Sequence, residues 1–119
     1  MWVLHADDET SWQGIVERYL KERGHSVTTV SDGEEILTLL GSGASFDLVI
    51  TDNGMLRIPG LEVLRQIRAD PNLKKLPVFI LTGDYIKEAV EEAGGVYIDK
   101  PKMFTQLDAE LSKLKPPAA

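Results

Sequence analysis

Asp7, Asp8, Asp52, Thr82 and Lys100 each stand at the end of a short apolar run, the runs covering residues 2–6, 46–51, 78–81 and 96–98. Neighbouring parallel strands would bring these side chains to one edge of one sheet. Three carboxylates, a hydroxyl and an ammonium would then share a shallow pocket. Two carboxylates ~4 Å apart repel by roughly 4 kcal/mol at an effective dielectric near 20. Such a group persists only when cations offset it or some pKa values rise. Lys100 supplies one positive charge. A Mg²⁺ ion, which takes a few carboxylates, a carbonyl and retained waters, would supply two more. With metal bound, Asp52 keeps one oxygen free to attack phosphorus and form an aspartyl phosphate. Thr82 and Lys100 could hold the added oxygens, and Gly83 has no side chain to block the incoming group.

The elements that must position these groups are legible in the hydrophobic periodicity. Residues 2–6 read as a buried strand. Trp12, Ile15, Val16, Tyr19 and Leu20 recur at helical spacing, with Gly24 as a stop signal. Residues 27–30 form a β-branched second strand, and Asp32-Gly33 turns the chain into a helix carrying Ile36, Leu37, Leu39 and Leu40. Residues 46–51 are the third and most apolar strand. A loop holding Gly54, Pro59 and Gly60 precedes a helix with Leu61, Leu64 and Ile67 on one face. Residues 78–81 are the fourth strand, followed by a short helix with Ile86, Ala89, Val90 and Ala93. Residues 96–98 are the fifth, and Met103, Phe104, Leu107, Leu111 and Leu114 mark the last helix, which Pro116-Pro117 ends. The pattern is (βα)₅: an α/β chain with a parallel sheet covered on both faces. Right-handed crossovers leave few topologies. In such sheets the ligand crevice lies at the carboxyl ends of the strands, where the winding direction reverses. The five candidate groups sit at that edge.

Bulk properties narrow the function classes. With 119 residues the chain reads as one compact domain, residues 1–115, with a short tail over 116–119. The absence of cysteine excludes disulfides, thiolate metal sites and cysteine nucleophiles. Met1-Trp2-Val3-Leu4 enters the first apolar run without a basic leader, and no run approaches a membrane span, so a cytoplasmic protein is expected. A net charge of −6 and no basic block beyond Lys74-Lys75 argue against nucleic-acid binding by this chain alone.

Each residue alone has an ordinary structural reading. An acidic pair after a strand is commonly a turn or helix cap, Asp52 before Asn53-Gly54 is a turn signal, and a lysine before proline is commonly a surface residue at a bend. The conjunction, in order and at matching strand ends, carries the functional reading. Jointly, Val3-Leu4-His5-Ala6-Asp7-Asp8-Glu9, Asp47-Leu48-Val49-Ile50-Thr51-Asp52 with Gly60 eight positions on, Leu81-Thr82-Gly83, and Tyr97-Ile98-Asp99-Lys100-Pro101 closely resemble the receiver domain of two-component response regulators of the chemotaxis type. The resemblance covers essentially the whole chain.

It implies a flavodoxin-like receiver fold with strand order 2-1-3-4-5. It implies that Asp52 is the phosphoacceptor, charged by a histidine kinase or a histidine phosphotransfer protein. Asp8 would bind Mg²⁺ (or Mn²⁺) directly, Asp7 directly or through water, with Asp52 and the Gly54 backbone carbonyl as further ligands. Thr82 and Lys100 would contact the phosphoryl oxygens, and Tyr97 would be the aromatic that rotates inward when Thr82 moves. The Lys100-Pro101 bond would be cis. Such a domain is a signalling module, a monomer or a phosphorylation-dependent dimer, catalysing only its own phosphorylation and dephosphorylation. The downstream target or fused output domain is unspecified.

The chain departs from the family pattern at Leu56, where proline is usual, and at Pro59, where an acid is common. The Thr82–Lys100 segment is about four residues shorter than usual, and Lys102 replaces a phenylalanine. These departures motivate one alternative, a pseudo-receiver that binds proteins without accepting phosphate. A phosphohydrolase of the haloacid dehalogenase type is a weaker one, because Gly54 stands where that chemistry needs an acid/base aspartate. His5 reads as a hydrogen-bonded core imidazole, and Trp2 and Trp12 as packing on the sheet. Glu17, Arg18, Lys21 and Glu22 read as a solvated face, on a helix that family members often use to engage the kinase.

Overall fold

The computed structural model of the chain describes residues 1–114; the Pro116-Pro117 stop, the boundary at 115 and the 116–119 tail lie outside the described residues. Strands and helices alternate: β1 (Trp2–Ala6), α1 (Thr10–Glu22), β2 (Ser26–Val30), α2 (Gly33–Gly41), β3 (Leu48–Thr51), α3 (Gly60–Ala69), β4 (Val78–Thr82), α4 (Lys87–Glu92), β5 (Val96–Asp99) and α5 (Met103–Lys113). A 3₁₀ turn, Lys100–Lys102, joins β5 to α5. The five strands form one parallel sheet in the order β2-β1-β3-β4-β5. The chain winds outward from β1 in one direction and then returns past it, so the winding reverses between β1 and β3.

Strand alternation divides the core between the two faces of the sheet. Leu4, Val49, Val78 and Ile80 pack with Ile36 and Leu40 of α2, Val63, Leu64 and Ile67 of α3, and Val90 of α4. Val3, Leu48, Ile50, Phe79 and Leu81 pack with Val16, Tyr19 and Leu20 of α1 and Met103 and Leu107 of α5. β3 and β4 are buried at every position because helices cover both sides.

Two expectations change. Residues 46 and 47 precede β3, and the Asp47 carboxylate accepts from the Trp2 amide at 2.7 Å at the start of β1. Trp2 is 60% exposed and does not pack on the sheet; it is the first residue of β1 and the strand's one exposed position. The α1 face is solvated as expected, with Arg18–Glu22 and Lys21–Glu17 pairs one helical turn apart.

Gly60 shows how tightly α3 is docked behind the site. A Cβ there would stand 2.3 Å from the Asp52 carbonyl oxygen, so only glycine lets the helix begin this close to the end of β3.

Candidate functional site

The carboxyl ends of β1 and β3 carry the acidic groups. One oxygen each from Asp7, Asp8 and Asp52 lies within 4.8 Å of the others. Asp7 and Asp52 are buried, and Asp8 is exposed at the rim. The Glu9 amide donates to Asp7 Oδ1 at 2.9 Å, and the Asn53 amide donates to Asp52 Oδ1 at 2.8 Å. Lys100 Nζ reaches over from the far edge of the sheet to 3.1 Å from Asp7 Oδ2 and 3.7 Å from Asp52 Oδ1. Asp7 Oδ2 faces that ammonium as an ion pair without hydrogen-bond geometry, leaving a buried oxygen otherwise unpartnered.

This arrangement is electrostatically uneven. Burial pushes the Asp52 carboxyl above its ordinary range; Lys100 opposes that shift, Asp7 adds to it, and the Asn53 and Gly54 amides oppose it. Three carboxylates with one partial counter-charge form a site short of cation, lined by hard oxygen donors. The donor set and the orphaned Asp7 oxygen fit a small divalent ion.

β4 ends in Thr82, whose Oγ1 accepts from the Asp84 amide at 3.1 Å. Asp84 is a hub: its carboxylate accepts from Asn53 Nδ2 at 3.3 Å, and its carbonyl accepts from the Tyr97 hydroxyl at 2.8 Å. The residue after Asp52, the hydroxyl at the end of β4 and the aromatic of β5 are thus tied through one residue. Gly83 faces open space. A Cβ on Gly54 would stand 3.9 Å from Asp52 Oδ2, so the backbone of the following loop runs beside the carboxylate.

Every peptide bond among the described residues is trans, Lys100-Pro101 included. The cis expectation is therefore corrected. Trans is favoured even before proline, by roughly 0.5–1 kcal/mol. Pro101 also lies in the first turn of the 3₁₀ segment, where its missing N–H breaks no bond.

His5 is fully buried, as expected, but neither ring nitrogen has a protein partner. Desolvation lowers its pKa to about 4, so the imidazole is neutral and packs as an apolar group; the charge of Asp7 opposes the shift, Lys100 adds to it and Glu17 opposes it.

Three contacts escaped sequence reasoning. The half-buried Trp12 places its ring 4.6 Å from Lys100 Nζ, a cation–π contact. Asn53 organises the loop: its carbonyl accepts from Met55 and Gly60 at 2.9 and 3.1 Å, and its Oδ1 accepts from Leu61 at 3.0 Å. Arg57 reaches Asp32 and Glu34 at the start of α2, and nothing in their spacing announces it.

The response regulator receiver domain model matches residues 3–112. The chain is 37% identical over 119 residues to chemotaxis protein CheY-3 of Vibrio cholerae, covering 96% of this chain and 91% of that one. It is 34% identical to chemotaxis protein CheY of Pseudomonas aeruginosa, covering 96% and 95%. Among solved structures, response regulator TrrA of Thermotoga maritima, in complex with Mg²⁺ and BeF, is 32% identical and superposes with a TM-score of 0.84 over 96% of this chain and 98% of that one. With the family's fold and an acidic cluster at the sheet's switch point, the chain belongs to the response regulator receiver domains of two-component signalling.

Proposed function

We propose that this domain accepts a phosphoryl group on Asp52 from a phosphohistidine of a histidine kinase or a histidine phosphotransfer protein. An Asp52 carboxylate oxygen attacks phosphorus, the N–P bond breaks, and the imidazole leaves with the electron pair. Asp7, Asp8, Asp52 and the Gly54 carbonyl would hold Mg²⁺ or Mn²⁺. When bound, that ion neutralises charge on the acidic cluster and on the phosphoryl oxygens. Lys100 turns from Asp7 toward a phosphoryl oxygen, and the Thr82 hydroxyl exchanges its bond with the Asp84 amide for another. Because Asp84 also holds Asn53 and Tyr97, that exchange is the route by which a change at Asp52 reaches the β5 edge, where a partner protein reads it.

The observation that carries this reading is the buried Asp52 carboxylate, 3.7 Å from Lys100 and clustered with Asp7 and Asp8. Incubation with Mg²⁺ and acetyl phosphate tests it by intact mass. One added phosphoryl group that is lost with EDTA and in Asp52→Asn is expected. No adduct from acetyl phosphate, phosphoramidate or a phosphorylated kinase would favour the pseudo-receiver instead.

A further inference from the structure

The loop between β3 and α3 carries Gly54, and it has Leu56 where the family usually has a rigid proline. Leu56 is 90% exposed and anchors nothing. The next residue does the anchoring. Arg57 Nε and Nη2 donate to Asp32 Oδ2 at 3.0 and 2.6 Å, and Nη1 donates to Glu34 Oε2 at 3.2 Å. Asp32 is well placed to receive the guanidinium. Its Oδ1 already accepts from the Glu35 amide at 3.0 Å as the N-cap of α2, so the carboxylate is fixed by a helix. The Glu35 amide, with Arg57, holds that carboxyl below its ordinary range.

The backbone beneath this contact is equally close. A Cβ on Gly33 would stand 2.4 Å from the Ile58 carbonyl oxygen, so the first turn of α2 and the loop pack backbone to backbone. At its other end the loop is held by Asn53. It is therefore fixed at both ends, with Met55 buried in the core between them, and among its exposed residues Arg57 makes the ion pairs that tie the loop to α2.

We propose that Arg57 is the positioning residue of this loop, locking it to α2 through Asp32 and Glu34 so that the backbone beside Asp52 is set before a cation arrives. The proposal rests on the reading of Asp7, Asp8 and Asp52 as a divalent-cation site. Arginine suits the contact because its planar fork spreads three nitrogens, two on Asp32 Oδ2 and one on Glu34 Oε2, a fixed spread that the point charge of a lysine lacks.

Calorimetric Mg²⁺ titration and amide hydrogen exchange in EDTA test it on the full chain, with Arg57→Gln, Arg57→Lys, Asp32→Asn and the Arg57→Gln/Asp32→Asn double variant. Asparagine at 32 keeps the acceptor for the Glu35 amide and so preserves the cap. Weakening of Mg²⁺ binding by about threefold to fivefold is expected for Arg57→Gln, in line with the loss of a partly exposed ion pair. Exchange at residues 54–58 quickens by a similar factor, Arg57→Lys restores little, and the double variant is no worse than Arg57→Gln. Unchanged Mg²⁺ affinity and exchange in Arg57→Gln, with the parent protein binding Mg²⁺, would overturn the proposal alone. No Mg²⁺ binding by the parent protein would overturn the cation-site reading and the proposal with it.

Discussion

The Tyr97 hydroxyl donates to the backbone carbonyl of Asp84 at 2.8 Å, joining the edge strand to the loop that leaves the site. The same loop residue donates its amide to Thr82 Oγ1. Tyr97 is thus half-buried and bonded, and its position is coupled to a hydroxyl at the end of the neighbouring strand. In Tyr97→Phe, amide exchange at residues 84–87 is expected to rise about fivefold, the loss of one hydrogen bond near 1 kcal/mol. The Mg²⁺-dependent phosphorylation rate changes less than twofold. Unaltered exchange would show that the bond does not hold the loop.

Asp52→Asn is expected to stabilise the metal-free protein. The folded Asp52 carboxyl is raised above its ordinary range by burial, so the fold disfavours its charge, and that penalty is present at neutral pH and relieved as pH falls through the folded pKa. Lys100 keeps its closer partner Asp7 in the variant. A gain on the order of 1 kcal/mol at pH 7, shrinking in acid, follows from removing one of the repelling charges. Thermal unfolding in EDTA at pH 7 and at pH 4 checks both the sign and the trend.

Lys100→Ala leaves Asp7 and Asp52 buried without their ammonium. Removing one member of a buried ion pair costs several kcal/mol, and the pocket's open mouth lowers this to about 1–3 kcal/mol. The variant folds, but a saturating Mg²⁺ concentration raises its melting temperature more than it raises that of the parent protein. An equal Mg²⁺ increment in both would show that the lysine and the metal site do not share charge.

His5 makes the metal-free fold acid-sensitive. Its folded pKa of about 4 lies below the ordinary value of 6.5, so its neutral form is favoured and its contribution is complete above 6.5. That contribution is lost as pH falls toward 4, on the order of 2–3 kcal/mol. Asp52 changes in the opposite direction in acid, so the comparison belongs in Asp52→Asn. Adding His5→Leu there flattens the stability profile between pH 6.5 and 4, as measured by urea unfolding in EDTA. A profile as steep as before would assign the sensitivity elsewhere.

The fold was legible because apolar runs of strand length alternate with helical stripes, and the site because four of the five strands end beside a residue able to do chemistry. Asp7, Asp8, Asp52 and Lys100 meet as their positions at strand ends require. What escaped detection depends on side-chain reach and not on periodicity. Arg57 spans from one loop to the next helix, and Trp12 leans over Lys100, through contacts that no spacing encodes. The Lys100-Pro101 bond is trans where the family resemblance implies cis, and the 3₁₀ turn accepts that isomer. His5 was expected to find a partner, yet its strand neighbours Thr29 and Ile50 leave both nitrogens unbonded.

The proposed phosphorylation forms a covalent bond at one oxygen of one carboxylate, that of Asp52. Borohydride reduction of the protein phosphorylated in Mg²⁺, followed by peptide sequencing, locates that bond, because an acyl phosphate is reduced to an alcohol where it stands. A single reduced residue at position 52 is expected, and none in Asp52→Asn. A reduced residue at Asp7 or Asp8, or a phosphoryl adduct that resists borohydride, would contradict it.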